Sequence, residues 1–291
     1  MEGKITRKMT EKVTFRRLIE LYALSARMDL DFLLRDSRIS LMAIAADLLS
    51  NIAAVSGIFL LAWRFDGVGG MSRWDVLFML GYVTCVNGLY QLFFSNNNGH
   101  ISRRIGRGQL DHMFIQPLPF SVQLATDGFI PFTGSQNILF GIGIILFALN
   151  GMGMSISPLW VFGMIGYLLI SLSIIVGLSY LFSSLAFRRQ VAFEEVATTI
   201  VDDITGVLCN YPLSGMPVAV QWTLISVIPA GLLGWFPAMA LLGKMPLGLS
   251  VFYPLLVAVI IWILAAIFLK KGLMFYVKLG SNRYTPGGHR R

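Results

Sequence analysis

Charge is scarce in this sequence and cysteine scarcer still. Only 13% of its 291 residues are Asp, Glu, Lys or Arg, half the ~25% usual in soluble domains. That disfavours an ordinary soluble enzyme and a disordered chain. Two cysteines, Cys85 and Cys209, are too few for a disulfide framework or a metal site, and in apolar surroundings a thiol behaves as a small hydrophobe. Chemistry-bearing motifs are missing too: there is no G-x-x-x-x-G-K-[ST] phosphate loop, G-x-S-x-G elbow, H-E-x-x-H pair or C-x-x-C. Gly3-Lys4 and Gly243-Lys244 lack the surroundings of a phosphate loop, and His100, His112 and His289 are scattered. No metal, cofactor or catalytic site is expected in this chain. If it moves a molecule uphill, the energy comes from elsewhere.

Hydrophobic residues fill the space, at 56%, and they come in long runs. Residues 39–63 carry one charge, Asp47; 76–98 and 128–187 carry none; 204–269 carry only Lys244. A spanning helix needs ~20 apolar residues, because the hydrocarbon core is ~30 Å thick and each residue rises 1.5 Å. The chain therefore reads as an all-α polytopic membrane protein. Asn150-Gly151-Met152-Gly153 and Ser157-Pro158 divide the longest run with a turn. Six spans are predicted, at about 39–63, 76–98, 131–149, 159–186, 192–211 and 249–269. Together they form a transmembrane domain, 39–270, between tails 1–38 and 271–291. The fifth span is the most polar, holding Glu194, Glu195, Asp202 and Asp203.

The positions of the basic residues orient these spans. With the N-terminus in the cytoplasm, the tail to Arg38 carries nine Lys/Arg. The second loop carries three (Arg103, Arg104, Arg107), the fourth two (Arg188, Arg189) and the C-terminal tail six. Twenty of the 23 basic residues are then inside, and only Arg64, Arg73 and Lys244 outside, as the positive-inside rule requires. Both termini are expected in the cytoplasm of a cell (inner or plasma) membrane. The net charge of +8 is thus an orientation signal rather than a sign of nucleic-acid binding. The first 35 residues are charged and lack an isolated apolar core, so no cleavable leader is expected. Phe15, Leu18, Ile19, Tyr22, Met28, Leu30 and Leu33 supply apolar positions, with Arg27, Asp31 and Arg35 on another side. That pattern fits an amphipathic interfacial helix or a plain soluble tail helix.

Three regions stand out within this frame. The loop from His100 to Pro119 is basic yet apolar at Ile105, Leu110, Met113, Phe114 and Ile115, and closes on Pro117 and Pro119. A short helix docking onto a cytoplasmic partner accounts for that mixture. Residues 210–250 are apolar but broken by Pro212, Pro217, Pro229, Pro237 and Pro246. No stretch there is long enough to span, and broken backbone is not tolerated facing lipid. An outer re-entrant hairpin bearing Tyr211 and Trp222 fits, with two further full spans as the alternative. Thirdly, Asp47 and Asn51 in the first span, and Glu195, Thr199 and Asp202 in the fifth, put polar groups within spans, where they must face protein or water. They could form a cytoplasm-facing vestibule or a protomer interface; alternatively Glu194 and Glu195 are the wet end of a helix and the aspartates pair with a neighbour. Ala46, Ser50, Ala54 and Gly57 add a small-residue stripe suited to close helix packing.

The same regions resemble the type-2 ABC transporter permeases, in particular a six-span subfamily of ABC permease components. Ile105-x-x-Gly108-x-Leu110-Asp111 followed by Pro117 is similar to that family's loop between spans two and three. Tyr211-Pro212, Val227-Ile228-Pro229 and Phe236-Pro237-Ala238 resemble its stretch before the last span. Trp74-Asp75-Val76-Leu77 matches the entry to span two in character, and Gly272-Leu273 with Tyr276 matches the family's ending, although Phe275 replaces a usual polar residue. The resemblance implies a non-enzymatic permease subunit of an exporter for a small hydrophobic or amphipathic, drug- or lipid-like substrate. It implies pairing with a second permease, the same or different, on two cytoplasmic ABC ATPase subunits that hold ATP and Mg. Residues 101–116 would be the coupling helix in contact with the ATPase, and 210–250 would line the outer exit. The competing readings are a non-transporting membrane scaffold and a secondary transporter.

Overall fold

A computed structural model describes residues 14–94, 101–116 and 118–279, and these are helical but for connections and one isolated bridge, Val68 to Met71. Pro117, His100, the end of the second expected span, the first 13 residues and the tail from 280 lie outside the described residues. Helix α1 (Phe15–Arg35) precedes α2 (Ser37–Arg64), α3 (Arg73–Phe94), α4 (Ile101–Gly106), α5 (Leu110–Ile115), α6 (Phe120–Thr126), α7 (Pro131–Gly134), α8 (Gln136–Met152) and α9 (Pro158–Ser183). A composite run, α10, covers 196–208. Then come α11 (Val218–Ser226), α12 (Trp235–Leu241) and α13 (Leu247–Leu279).

Four helical stretches are long and apolar enough to cross a membrane: Ser37–Arg64, Arg73–Phe94, Pro158–Phe187 and Gly248–Lys278. The other two expected spans look different. Helix α8 is apolar but has 17 residues, or ~25 Å at 1.5 Å per residue, and a separate short turn, α7, precedes it. The region expected as span 192–211 begins with turns through 195 and then forms α10, only ~20 Å long on the same rise. Its middle, Thr199–Thr205, is π-helical, and Thr205 Oγ1 donates to Ile200 O at 2.7 Å. Glu194 and Glu195 lie in the turns before this helix, where Arg107 and Arg103 pair with them.

Helix α3 is the buried axis, with almost every residue from Asp75 to Val86 inside. It lies against α8 through glycine. A Cβ on Gly141 would sit 2.6 Å from Cys85 Sγ and 2.8 Å from Gly81 O, and one on Gly88 would sit 2.7 Å from Ile138 N. In lipid, apolar helices gain little hydrophobic energy by meeting, so such close backbone approach supplies the association. Within this chain the stripe on α2 is not used this way: of that helix only Ser40 and Ala62 are buried, and nothing lies within 4 Å of a Cβ on Gly57.

Helix α1 lies against α6 and α7. Tyr22 and Ser25 hydroxyls donate to Ala125 O (3.2 Å) and Thr126 O (3.0 Å), and buried Asp29 accepts from Phe132 N at 2.8 Å. Leu18, Tyr22, Leu30 and Leu33 are on the docked side, whereas Phe15, Ile19 and Met28 flank it, exposed.

On the opposite side, α11, a 3-10 turn (Pro229–Leu233) and α12 form a hairpin whose helices have nine and seven residues, too short to span. Its turn reaches the middle of α9, where Ser171 Oγ donates to Leu232 O (3.0 Å) and hydrogen bonds Tyr82 OH (2.9 Å). Trp160 Nε1, near the start of α9, donates to Leu241 O at 2.9 Å.

Replacing Gly141 by valine should force α3 and α8 apart and cost ~1–3 kcal/mol or more, read as a lower melting temperature of the detergent-purified protein. Gly57→Val should leave that temperature unchanged.

Candidate functional site

The loop resembling a coupling helix is two six-residue helices, not one. Gly108 joins them with φ +68°. Gly108 N donates to Ile105 O (3.1 Å) and Gln109 N to Arg104 O (2.8 Å), closing α4 with a left-handed glycine cap. A residue with a side chain is strained there. Ile105, Leu110 and Met113 are buried in this chain's own core. Phe114 stacks on Phe120 at 5.9 Å and lies beside Tyr276. Exposed on the loop are Arg107, Gln109, Asp111, His112, Ile115 and Gln116, with Ile115 78% exposed.

This tip is anchored to distant elements. Tyr276 Oη donates to Asp111 Oδ1 at 2.9 Å, so two motifs far apart in sequence meet through one hydrogen bond. Gly272 permits that approach: a Cβ there would fall 2.3 Å from the Phe187 ring, which itself packs edge-on against Tyr276. Gly106 has the same role against Glu194, whose side-chain carbons would lie 2.6 Å from an added Cβ. Arg103 pairs with Glu195 (2.7 Å), Arg107 with Glu194 (3.0 Å) and Arg104 with Asp127 (2.9 Å). Burial disfavours the Glu195 carboxylate, but hydrogen bonds from Arg103 and Thr198 and the charges of Arg103 and Arg107 outweigh it and hold the carboxyl below its usual range. A lowered pKa means the tie is present at neutral pH and is lost only as pH falls below the ordinary glutamate range, about 4.

The polar residues within spans divide into two groups. Asp47, Asn51 and Asp202 share the wall of a cavity of about 740 Å³, together with Tyr90, Gln91 and Gln136. Asp47 Oδ2 accepts from Gln136 Nε2 (2.6 Å) and Asn137 Nδ2 (3.2 Å); Asn51 Nδ2 donates to Asn137 Oδ1 (2.8 Å) and Asn137 Nδ2 to Gln91 Oε1 (2.6 Å). Glu195 and Thr199 are not on that wall. Glu195 holds Arg103, which is. Thr199 is exposed elsewhere, because π-helical turns are wider than α-helical ones and shift which residues share a face. Gln91, Gln136 and Asn137 were not singled out from the sequence; amides at helix ends give no periodic signal.

The hairpin residues also separate. Pro212, Pro229, Phe236 and Pro237 are packed inside, while Tyr211 and Trp222 are exposed, Trp222 edge-on to Tyr253 at 6.1 Å. Two lone charges meet here: Lys244 Nζ donates to Asp75 Oδ2. Asp75 also caps its own helix, accepting from Ser72 N (2.8 Å) while its N–H reaches Ser72 Oγ (3.3 Å). A signal existed for this pair, since each is an isolated charge bordering or inside an apolar run on the same expected side. Nearby, Gly69 lies so close to Gly215 that a Cβ on Gly215 would touch Gly69 Cα at 2.7 Å.

A family model described as ABC-2 family transporter protein matches residues 48–280. No curated protein and no solved structure matches the chain.

Lys244→Met should leave the Asp75 carboxylate, 3% exposed, without its countercharge, costing ~1.5–3 kcal/mol. Thermal unfolding should show that loss, with Asp75→Asn in the same background recovering part of it.

Proposed function

This chain belongs to the ABC-2 transporter family, so it is the membrane component of an ABC transporter, and from that premise we propose that it works as one permease of an ATP-driven exporter of small hydrophobic or amphipathic molecules. Two copies of a cytoplasmic ATPase bind ATP and Mg, which this chain has no phosphate loop to hold. A second permease, the same or a different chain, completes the pathway in the cell membrane. The spans are α2, α3, the α7–α8 pair, α9, α10 and α13. Helices α11 and α12 form an outer re-entrant hairpin at the exit, and both termini are cytoplasmic.

The observation that carries this reading is the anchored tip between α4 and α5. Its exposed edge, Arg107, His112 and Ile115, offers one apolar and two polar contacts to a groove on the ATPase. Behind it, the buried Ile105, Leu110 and Met113 keep the tip's shape. Asp111–Tyr276 transmits displacement to α13, and Arg103–Glu195 and Arg107–Glu194 transmit it to the connection between α9 and α10. ATP-driven approach of the two ATPases then favours one arrangement of these helices over another, a population shift driven by differential nucleotide affinity.

Ile115→Asp should abolish copurification of the ATPase without lowering the melting temperature of the permease. Leu110→Asp should instead lower the melting temperature, because that side chain is wholly buried. An ATPase that still copurifies with stable Ile115→Asp protein would overturn the docking assignment.

A further inference from the structure

The cavity beside Asp47 leaves two electrostatic requirements unmet. Asp47 places a carboxyl group within an expected span, where a carboxylate's charge is costly unless it serves a site or finds a partner. The two amides that donate to its Oδ2 spread that charge without cancelling it. Among the described residues no lysine or arginine pairs with it. The second requirement is an acceptor: Gln136 Oε1, on the same wall, is buried and has no donor among the described residues. Closing the amide network does not need the carboxylate, because Asn51, Asn137 and Gln91 already satisfy one another in a chain. The described wall also holds Asp202 and the rings of Phe32, Tyr90 and Phe94. Its basic side chain, Arg103, is engaged at 2.7 Å by Glu195, which is not part of the wall.

We infer that this cavity binds an amphipathic organic cation bearing N–H donors. The positive centre is held at Asp47, an N–H meets Gln136 Oε1, and the apolar body lies against the aromatic rings. A volume of about 740 Å³ is within the ~300–1,000 Å³ of drug-sized sites. As a transport site it rests on the exporter reading above; as a binding site it does not.

The test uses the full chain in lipid nanodiscs, without ATPase, titrated with ethidium, an aromatic cation with amino donors, and read by fluorescence anisotropy. Ethidium should bind saturably, and anionic anilinonaphthalene sulfonate should fail to displace it. Asp47→Asn should weaken ethidium by at least about tenfold, while Asp47→Glu stays close to the parent. Unchanged affinity in folded Asp47→Asn protein, or equal displacement by the anion, overturns the inference. Should Asp47→Asn fail to fold, Asp202→Asn takes its place: several-fold weaker binding supports the site and unchanged binding overturns it. Reconstitution with the ATPase separates the two readings. Saturable ethidium binding without ATP-driven movement supports the site and counts against export, whereas ATP-driven movement of a neutral compound by a chain that does not bind ethidium does the opposite.

Discussion

Hydrocarbon accepts neither an unpaired charge nor an unbonded peptide group, and this chain has so few charges near its apolar helices that those which find partners act as fastenings. At one end of the bundle Asp75 caps α3 and holds Lys244 of the hairpin. At the other end Arg103 and Arg107 of the α4 region grip Glu195 and Glu194, and Asp29 of α1 takes the first free N–H of α7. Between them Asp47 collects amide donors from α8. Remove these and what remains is a set of greasy helices with little to define how they sit against one another.

Packing between the fastenings relies on absence of bulk. Glycines at 81, 88 and 141 bring α3 and α8 within backbone contact, and Gly272 lets Phe187 lie on α13. Side chains then bond to backbone carbonyls of neighbouring elements: Trp160 to Leu241, Ser171 to Leu232, Trp262 to Ser173. Bonds of this kind fix how neighbouring helices sit against one another. Helix α10 is the exception. Short and π-helical, it is the element whose bonding is least regular, and it carries Asp202 on the cavity wall.

Several local patterns proved informative without showing their purpose. The residues Ile105, Gly108, Leu110 and Asp111 were recognisable as a unit, yet only Asp111 reaches across to a partner, Tyr276. Ile105 and Leu110 face inward and Gly108 is there for its positive φ. The small-residue stripe on α2 had the right spacing for helix contact, but so did the glycines of α3 and α8, and spacing does not say which helix will be adjacent. The acidic face expected along the fifth span was split by a π segment, because a 3.6-residue period presumes a helix that the arginine pairs and Asn210-Tyr211-Pro212 interrupt.

From the sequence alone came the class of the protein, its all-helical character and the family it resembles, together with an expected side of the membrane for its basic loops. Those are properties a bilayer imposes one segment at a time: length against thickness, Lys/Arg against orientation. The tertiary structure decided which lone charges pair, which motif residues are buried, and that Asp47, Gln136 and Asp202 border one space. Such outcomes depend on which helices become neighbours and how each is rotated about its axis. Where nearly every face of every helix is apolar, hydropathy carries no information about rotation; only the rare polar atom and the missing side chain do.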